Sequence, residues 1–232
     1  DIMLEDADTW TETRRSKIKI LTYAGKKSNS EIKIPYNADW QEVELTRATV
    51  TLEDGTVKEI GEDEINLMDS PWVAAAPRYP SERILVANLP GVEVGSVLDY
   101  EIVSRVDGKP FFSTIQTFNA HEPIDRKTVR LTAPESLGLE IVNTGIAETK
   151  TASEGSITYA WTATNQPAVK HEESLPEWWM FNPTVFISAG NWETYGSAVL
   201  DHLLAASEDQ PETEALAKQL TAGLSSKSEK AI

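Results

Sequence analysis

Three histidines, 37 carboxylates and no cysteine are the raw material for chemistry in this chain. Without cysteine there is no thiol nucleophile, no thiolate metal site and no disulfide within it. That absence does not locate the protein, because a cysteine-free domain suits either redox compartment. His121-Glu122 and His171-Glu172 are adjacent pairs, and neither sits in an H-E-x-x-H helix. Along a strand, neighbours point to opposite faces, so such a pair does not converge on one ion. Both histidines read as solvated turn residues. Ser197 follows Gly196 without a G-x-S-x-G elbow, and no phosphate loop or G-x-G-x-x-G is present. A glycosidase-type carboxylate pair cannot be singled out among so many acids. No catalytic residue, metal site or cofactor is expected.

The aromatics are more informative. The stretch "ESLPEWWMFNPTVFISAGNWETYG" holds three of the seven tryptophans. Trp178, Trp179, Phe181, Phe186, Trp192 and Tyr195 are the candidate binding or interdomain residues. Such a set serves as a sugar-stacking face, as a plug at the base of a sheet sandwich, or as a joint to a neighbouring domain. Packing is the preferred reading, because monomers expose only small apolar patches. Arg47, inside an apolar strand pattern, is either a buried or interface arginine or a solvent-face one.

Bulk properties narrow the partners. Net charge is −16, a field that repels nucleic acid and anionic headgroups. No run approaches the roughly 18 apolar residues of a membrane span. At 232 residues the chain can bury a sizeable core without metals or disulfides. The start at Asp1 rather than Met points to a removed initiator; a removed signal peptide or a trimmed piece would look the same.

The elements that must position the aromatics are mostly strands. "SKIKILTY" sets Ile18, Ile20 and Thr22 on one face and Lys17 and Lys19 on the other, and "EIKIPY" repeats the alternation. In "QEVELTRATVTLEDGTVKEI", Val43 and Leu45 fall out of phase with Ala48, Val50 and Leu52, which predicts a bulge. The turn Glu53-Asp54-Gly55 follows. "RILVANLP", "GSVLDYEIVSRV", "PFFSTIQTF", "KTVRLTAP", "LGLEIVNTG" and "SITYAWTATN" continue the pattern, with turn signals every eight to fifteen residues. This rhythm predicts an antiparallel β-sandwich, not alternating βα units.

After Phe186 the period changes. Trp192, Tyr195, Val199 and Leu203 share one helical face, with Asn191 as N-cap and Glu193 in the first turn. A second helix opens at Pro211 and aligns Leu216, Leu220 and Leu224. "SSKSEKAI" reads as the first turn of a third, capped by Ser225 or Ser226. The expected division is therefore a β-sandwich over residues 1–187 and a helical segment over 188–232. A stop one turn into a helix predicts a truncated second domain.

Several pieces stand in a telling order: "RRSKIKILTYAGKK", "IPYN", "VELTRATVTLEDGTVKEI", "YPSERILVANLPGVEVGSVLDYEI", "FFSTIQTFNAHEPIDRKTVRLTAP" and "PTVFISAGNWETYG". Together they resemble the DUF3857 family, found N-terminal to bacterial transglutaminase-like domains. The resemblance runs from about Arg14 to Tyr195. It is carried by the hairpin Ala48–Gly55, the segment Pro90–Gly95 and Trp192. These are turn and packing positions, not catalytic ones. The resemblance implies an immunoglobulin-like sandwich that precedes a papain-like core with a Cys-His-Asp triad. It also implies export to the periplasm or cell surface of a Gram-negative bacterium. The chain itself would then be a non-catalytic scaffold, or would position a protein or peptide substrate, with the downstream transglutaminase-like domain as its partner. The competing reading is a free-standing carbohydrate- or peptide-binding module.

Overall fold

The computed structural model describes residues 1–75, 81–170, 172–208, 210–224 and 226. His171, Arg78 and the expected third helix after Ser225, apart from Ser226, lie outside the described residues. Two compact units divide after Gly190: residues 1–190 and 191–232.

The first unit is built from β1 (Ile2–Leu4), β2 (Trp10–Lys19), β3 (Glu31–Asn37), β4 (Gln41–Thr51), β5 (Val57–Glu59), β6 (Ile65–Asp69), β7 (Glu82–Asn88), β8 (Val97–Val106), β9 (Ser113–Thr117), β10 (Ile124–Pro134), β11 (Glu140–Thr144), β12 (Glu148–Ser153), β13 (Ser156–Gln166) and β14 (Thr184–Ser188). A short helix, α1 (Tyr23–Ser28), follows β2, and a single helical turn, α2 (Trp178–Phe181), precedes β14. Eight strands form one sheet in the order β12-β13-β10-β1-β2-β8-β4-β5. Two three-stranded sheets, β11-β14-β9 and β3-β7-β6, accompany it. The mainly β, largely antiparallel character is as expected, and β1 with β10 is a parallel pair. Instead of two sheets of similar size, one large sheet carries two small ones.

Both small sheets cover the same face of the large one. On β2, Trp10 is buried in one core cluster and Ile18 packs against the other; on β8, Val106 belongs to the first and Leu98 and Ile102 to the second. These positions differ by even numbers, so they point the same way. The first cluster joins Leu131, Trp161, Phe112, Phe118, Val185 and Ile187 beneath β11-β14-β9. The second joins Val50, Leu85, Ala87 and Leu98 beneath β3-β7-β6. Between the clusters, the same face of β2 carries Glu12, Arg14 and Ser16, which are polar. The covered face thus has two apolar ends and a polar middle.

Local sequence explains the details. The predicted bulge in β4 is present as a register shift between Leu45 and Arg47 against β8. It returns Ala48 and Val50 to the core face after Val43 and Leu45. Arg47 lies on the opposite, open face, half exposed, and pairs with Asp99 at 2.7 Å, so it is not buried in this chain. Thr22 does not extend the strand. Its hydroxyl accepts the Gly25 N–H at 3.0 Å and caps α1. In the turn after β4, Gly55 has φ +86°, where a side chain would be strained. The Asp54 carboxylate accepts the Thr56 N–H at 2.9 Å, and that bond holds its pKa below the ordinary value.

The second unit holds α3 (Trp192–Ser207) and α4 (Pro211–Leu220). Asn191 caps α3 as predicted, with its side-chain oxygen accepting the Glu193 and Thr194 N–H groups at 2.9 and 3.1 Å. Neither helix has a buried residue.

Candidate functional site

The aromatic stretch is folded around one buried amide. Pro176 and Pro183 flank a segment that cannot join a ladder throughout, so the chain makes the single turn α2 and then enters β14. Asn182 is 5% exposed; its Nδ2 donates to the Trp178 carbonyl at 3.0 Å and its Oδ1 accepts from Asn119 at 3.2 Å. The Thr184 hydroxyl donates to the Asn182 carbonyl at 2.8 Å. These bonds pin α2 against the end of its sheet.

Four of the six aromatics from the sequence form two ring pairs around α2. Trp178 is half-buried between the Phe181 ring, edge-on at 5.4 Å, and the His121 ring at 4.8 Å. His121 Nδ1 lies 3.1 Å from the Val169 carbonyl, so the tautomer with a proton on Nδ1 donates to it. Trp179 is 42% exposed and stands edge-on to Phe186 at 5.8 Å. Phe186 points outward between buried Val185 and Ile187. Register places Val142 of β11 and Ile115 of β9 on either side of it. That gives an open apolar row, Val142–Phe186–Ile115, across the sheet, with the two flanking residues 60% and 55% exposed. A depression of about 450 Å³ lies on this face, bordered by Ser113, Ser188 and Glu140.

Trp192 and Tyr195 belong to the helical unit, where they meet edge-on at 5.9 Å. Trp192 is 86% exposed and Tyr195 is 41% exposed. Within its own unit, the residue that begins α3 therefore leaves its ring uncovered.

Sequence reasoning missed a second feature, at the polar middle of the large sheet. Lys127 of β10 lies on the covered face, two residues before buried Val129. Its Nζ donates to the Thr117 carbonyl at 2.7 Å and sits 5.4 Å from the Phe118 ring centre. Desolvation pushes its pKa down; Arg14 adds to that effect and Glu12 opposes it. The usable signal was parity, since Lys127 interrupts the apolar face of a strand that continues with Val129 and Leu131. Among the described residues, no three His, Asp or Glu side chains gather as a metal site requires.

A third feature is the loop after β7. Gly91 has φ +82°, and a Cβ there would stand 2.5 Å from Lys58 Nζ. The positive φ favours glycine at this point of the Pro90–Gly95 segment, while the Lys58 side chain could swing aside. A depression of about 560 Å³ lies beside it, bordered by Leu52, Asp54 and Glu93.

Comparison with known proteins agrees with this architecture. No curated protein matches the chain. A crystal structure from Parabacteroides distasonis, described as a "putative protease", superposes with a TM-score of 0.78 at 20% sequence identity. The match covers 99% of this chain and 46% of that one, so this chain spans less than half the length of its structural relative. At that identity the likeness concerns the fold. Residues 6–170 match a family described as a domain of unknown function with a solved structure, DUF3857, and the chain belongs to that family.

Proposed function

We propose that this chain is the non-catalytic sandwich region of a longer transglutaminase- or cysteine-protease-like protein, in which it serves as a scaffold or positions a substrate or partner. In this reading residues 1–187 form the β domain, an immunoglobulin-like sandwich, and residues 188–232 lead into the next domain. The observation that carries it is the state of α3 and α4. Leu200, Leu203, Leu204, Leu216 and Leu220 are each more than half exposed, and no residue of either helix is buried. Helices of 16 and 10 residues draw most of their stability from burying an apolar face, so these two call for a covering surface. A relative in which over half the chain lies outside the match supports a covering domain on the same polypeptide. Export to a bacterial periplasm or cell surface is part of the proposal and rests on the family resemblance.

Amide exchange on the 232-residue chain and on the full gene product tests it. In the short chain α3 and α4 should exchange within seconds to minutes; in the full product they should be protected, and acyl-transfer or peptidase activity should appear there alone. A gene without a downstream cysteine-bearing domain, or equal protection in both products, overturns the proposal.

A further inference from the structure

The sheet β11-β14-β9 ends in an open edge. The Phe118 N–H donates to the Pro183 carbonyl and the Ala189 N–H to the Phe112 carbonyl, each at 3.0 Å. By the two-residue alternation of an antiparallel ladder, the even-numbered residues of β9 bond to β14. The N–H and C=O groups of Ser113, Ile115 and Thr117 therefore face away from it. Lys127 occupies the Thr117 carbonyl, and β9 has no second strand beside it among the described residues. The same alternation sorts the side chains. Ile115 joins the outer apolar row, while Thr114 and Gln116 turn to the covered side, joined by a 3.0 Å hydrogen bond. On that covered side the polar middle of the large sheet presents Arg14 and Lys127, with Glu12 acting on Lys127 and Asp125 on the same face of β10.

We propose that the free edge of β9 captures an extended peptide as an added strand, and selects segments in which apolar side chains alternate with acidic ones. Main-chain bonds to Ser113 and Ile115 hold the peptide, as in other cases of strand addition. Its apolar side chains lengthen the row Ile115–Phe186–Val142, and its carboxylates turn inward toward Arg14 and Lys127. Lys127 makes no ion pair among the described residues. An arriving carboxylate supplies a direct ion-pair partner to this partly desolvated ammonium. The peptide would be the substrate or partner segment of the positioning role proposed above, on which this assignment of a biological ligand rests.

Fluorescence anisotropy with the 232-residue chain tests it, using a fluorescein-labelled peptide of four Val-Glu repeats. Controls are the Val-Lys repeat and a Val-Glu repeat with alternate amides N-methylated. Saturable binding of the Val-Glu peptide is expected, weaker by about tenfold or more for Val-Lys, the scale of one charge-assisted bond. The peptide methylated on its edge-facing amides should not bind. Ile115→Lys and Arg14→Glu, both at exposed positions, should each weaken binding while leaving the melting curve unchanged. Equal affinity for the two repeats, indifference to N-methylation, or no binding up to millimolar peptide overturns it. Binding by a chain whose gene encodes no catalytic domain would leave this edge site standing and remove only the wider functional reading.

Discussion

The Lys127 ammonium stands 2.7 Å from the Thr117 carbonyl oxygen, so one side chain of the large sheet holds the end of β9. Its pKa in the folded protein lies below the ordinary 10.5, chiefly through desolvation. The unfolded chain therefore binds more protons in the window just below pH 10.5, and there this group makes stability rise with pH. The penalty on the charged form is fully present at lower pH. Lys127→Met removes it. Melting temperatures of parent and variant, compared from pH 8 to 10.5, should show a steeper rise in the parent; parallel curves would refute this account.

Two tryptophans predict opposite outcomes. Trp161 is fully buried, and its indole N–H donates to the Glu148 carboxylate at 2.9 Å. Its ring also stacks on Tyr159 at 5.8 Å. Trp161→Ala should cost about 3–5 kcal/mol in chemical denaturation. Trp192→Ala, at an 86% exposed ring, should stay within about 0.5 kcal/mol. A large loss at Trp192 would place it under cover.

The bulge in β4 makes a deletion prediction. Leu45 pairs with Ile102 and Arg47 with Glu101, so Thr46 is the extra residue. Removing Thr46 closes the ladder and leaves Leu45 and Ala48 on the core face. Removing Thr49 instead turns either Val50 or Ala48 outward. The Thr46 deletion should fold cooperatively, and the Thr49 deletion should not. Circular dichroism melts of both decide the matter.

Thr46 also sets an acid response. Its hydroxyl donates to Glu101 at 2.9 Å, and with Arg15 at 2.6 Å it holds that carboxyl below its ordinary 4.5. The stabilisation is complete above that value and fades as pH falls through the lowered one. In Thr46→Val the Glu101 carboxyl should titrate higher by NMR, closer to 4.5. An unmoved titration would assign the effect to Arg15 and Arg47.

Strands with clear alternation were legible in the sequence: β3, β8 and the bulged β4 stand where Ile, Val and Leu predicted them. β12 was not, because "ETKTAS" is polar on both faces of an exposed edge. β14 was obscured by Pro183 just before it and by Phe186, an apolar residue on the open face of a strand with two apolar core residues. The buried Asn182 gave no signal, since its partners Asn119 and Trp178 converge only through the fold. Of the candidate site, Trp178, Trp179, Phe181 and Phe186 are neighbours in space. The edge of β9 and its cations could not be read, because a strand edge is defined by what fails to pair with it.

β2 ends in both cores and crosses a polar stretch between them, whereas β8 carries Ile102 of the second core at its centre and reaches the first only at Val106. Packing energy is thus concentrated at the two ends of β2, while its centre is held mainly by the ladder. Such a strand acts as a tie between two separately packed halves. Loosening one half strips one anchor from the tie, so a lesion in either core is felt, attenuated by the uncored middle, at the far end of the same strand.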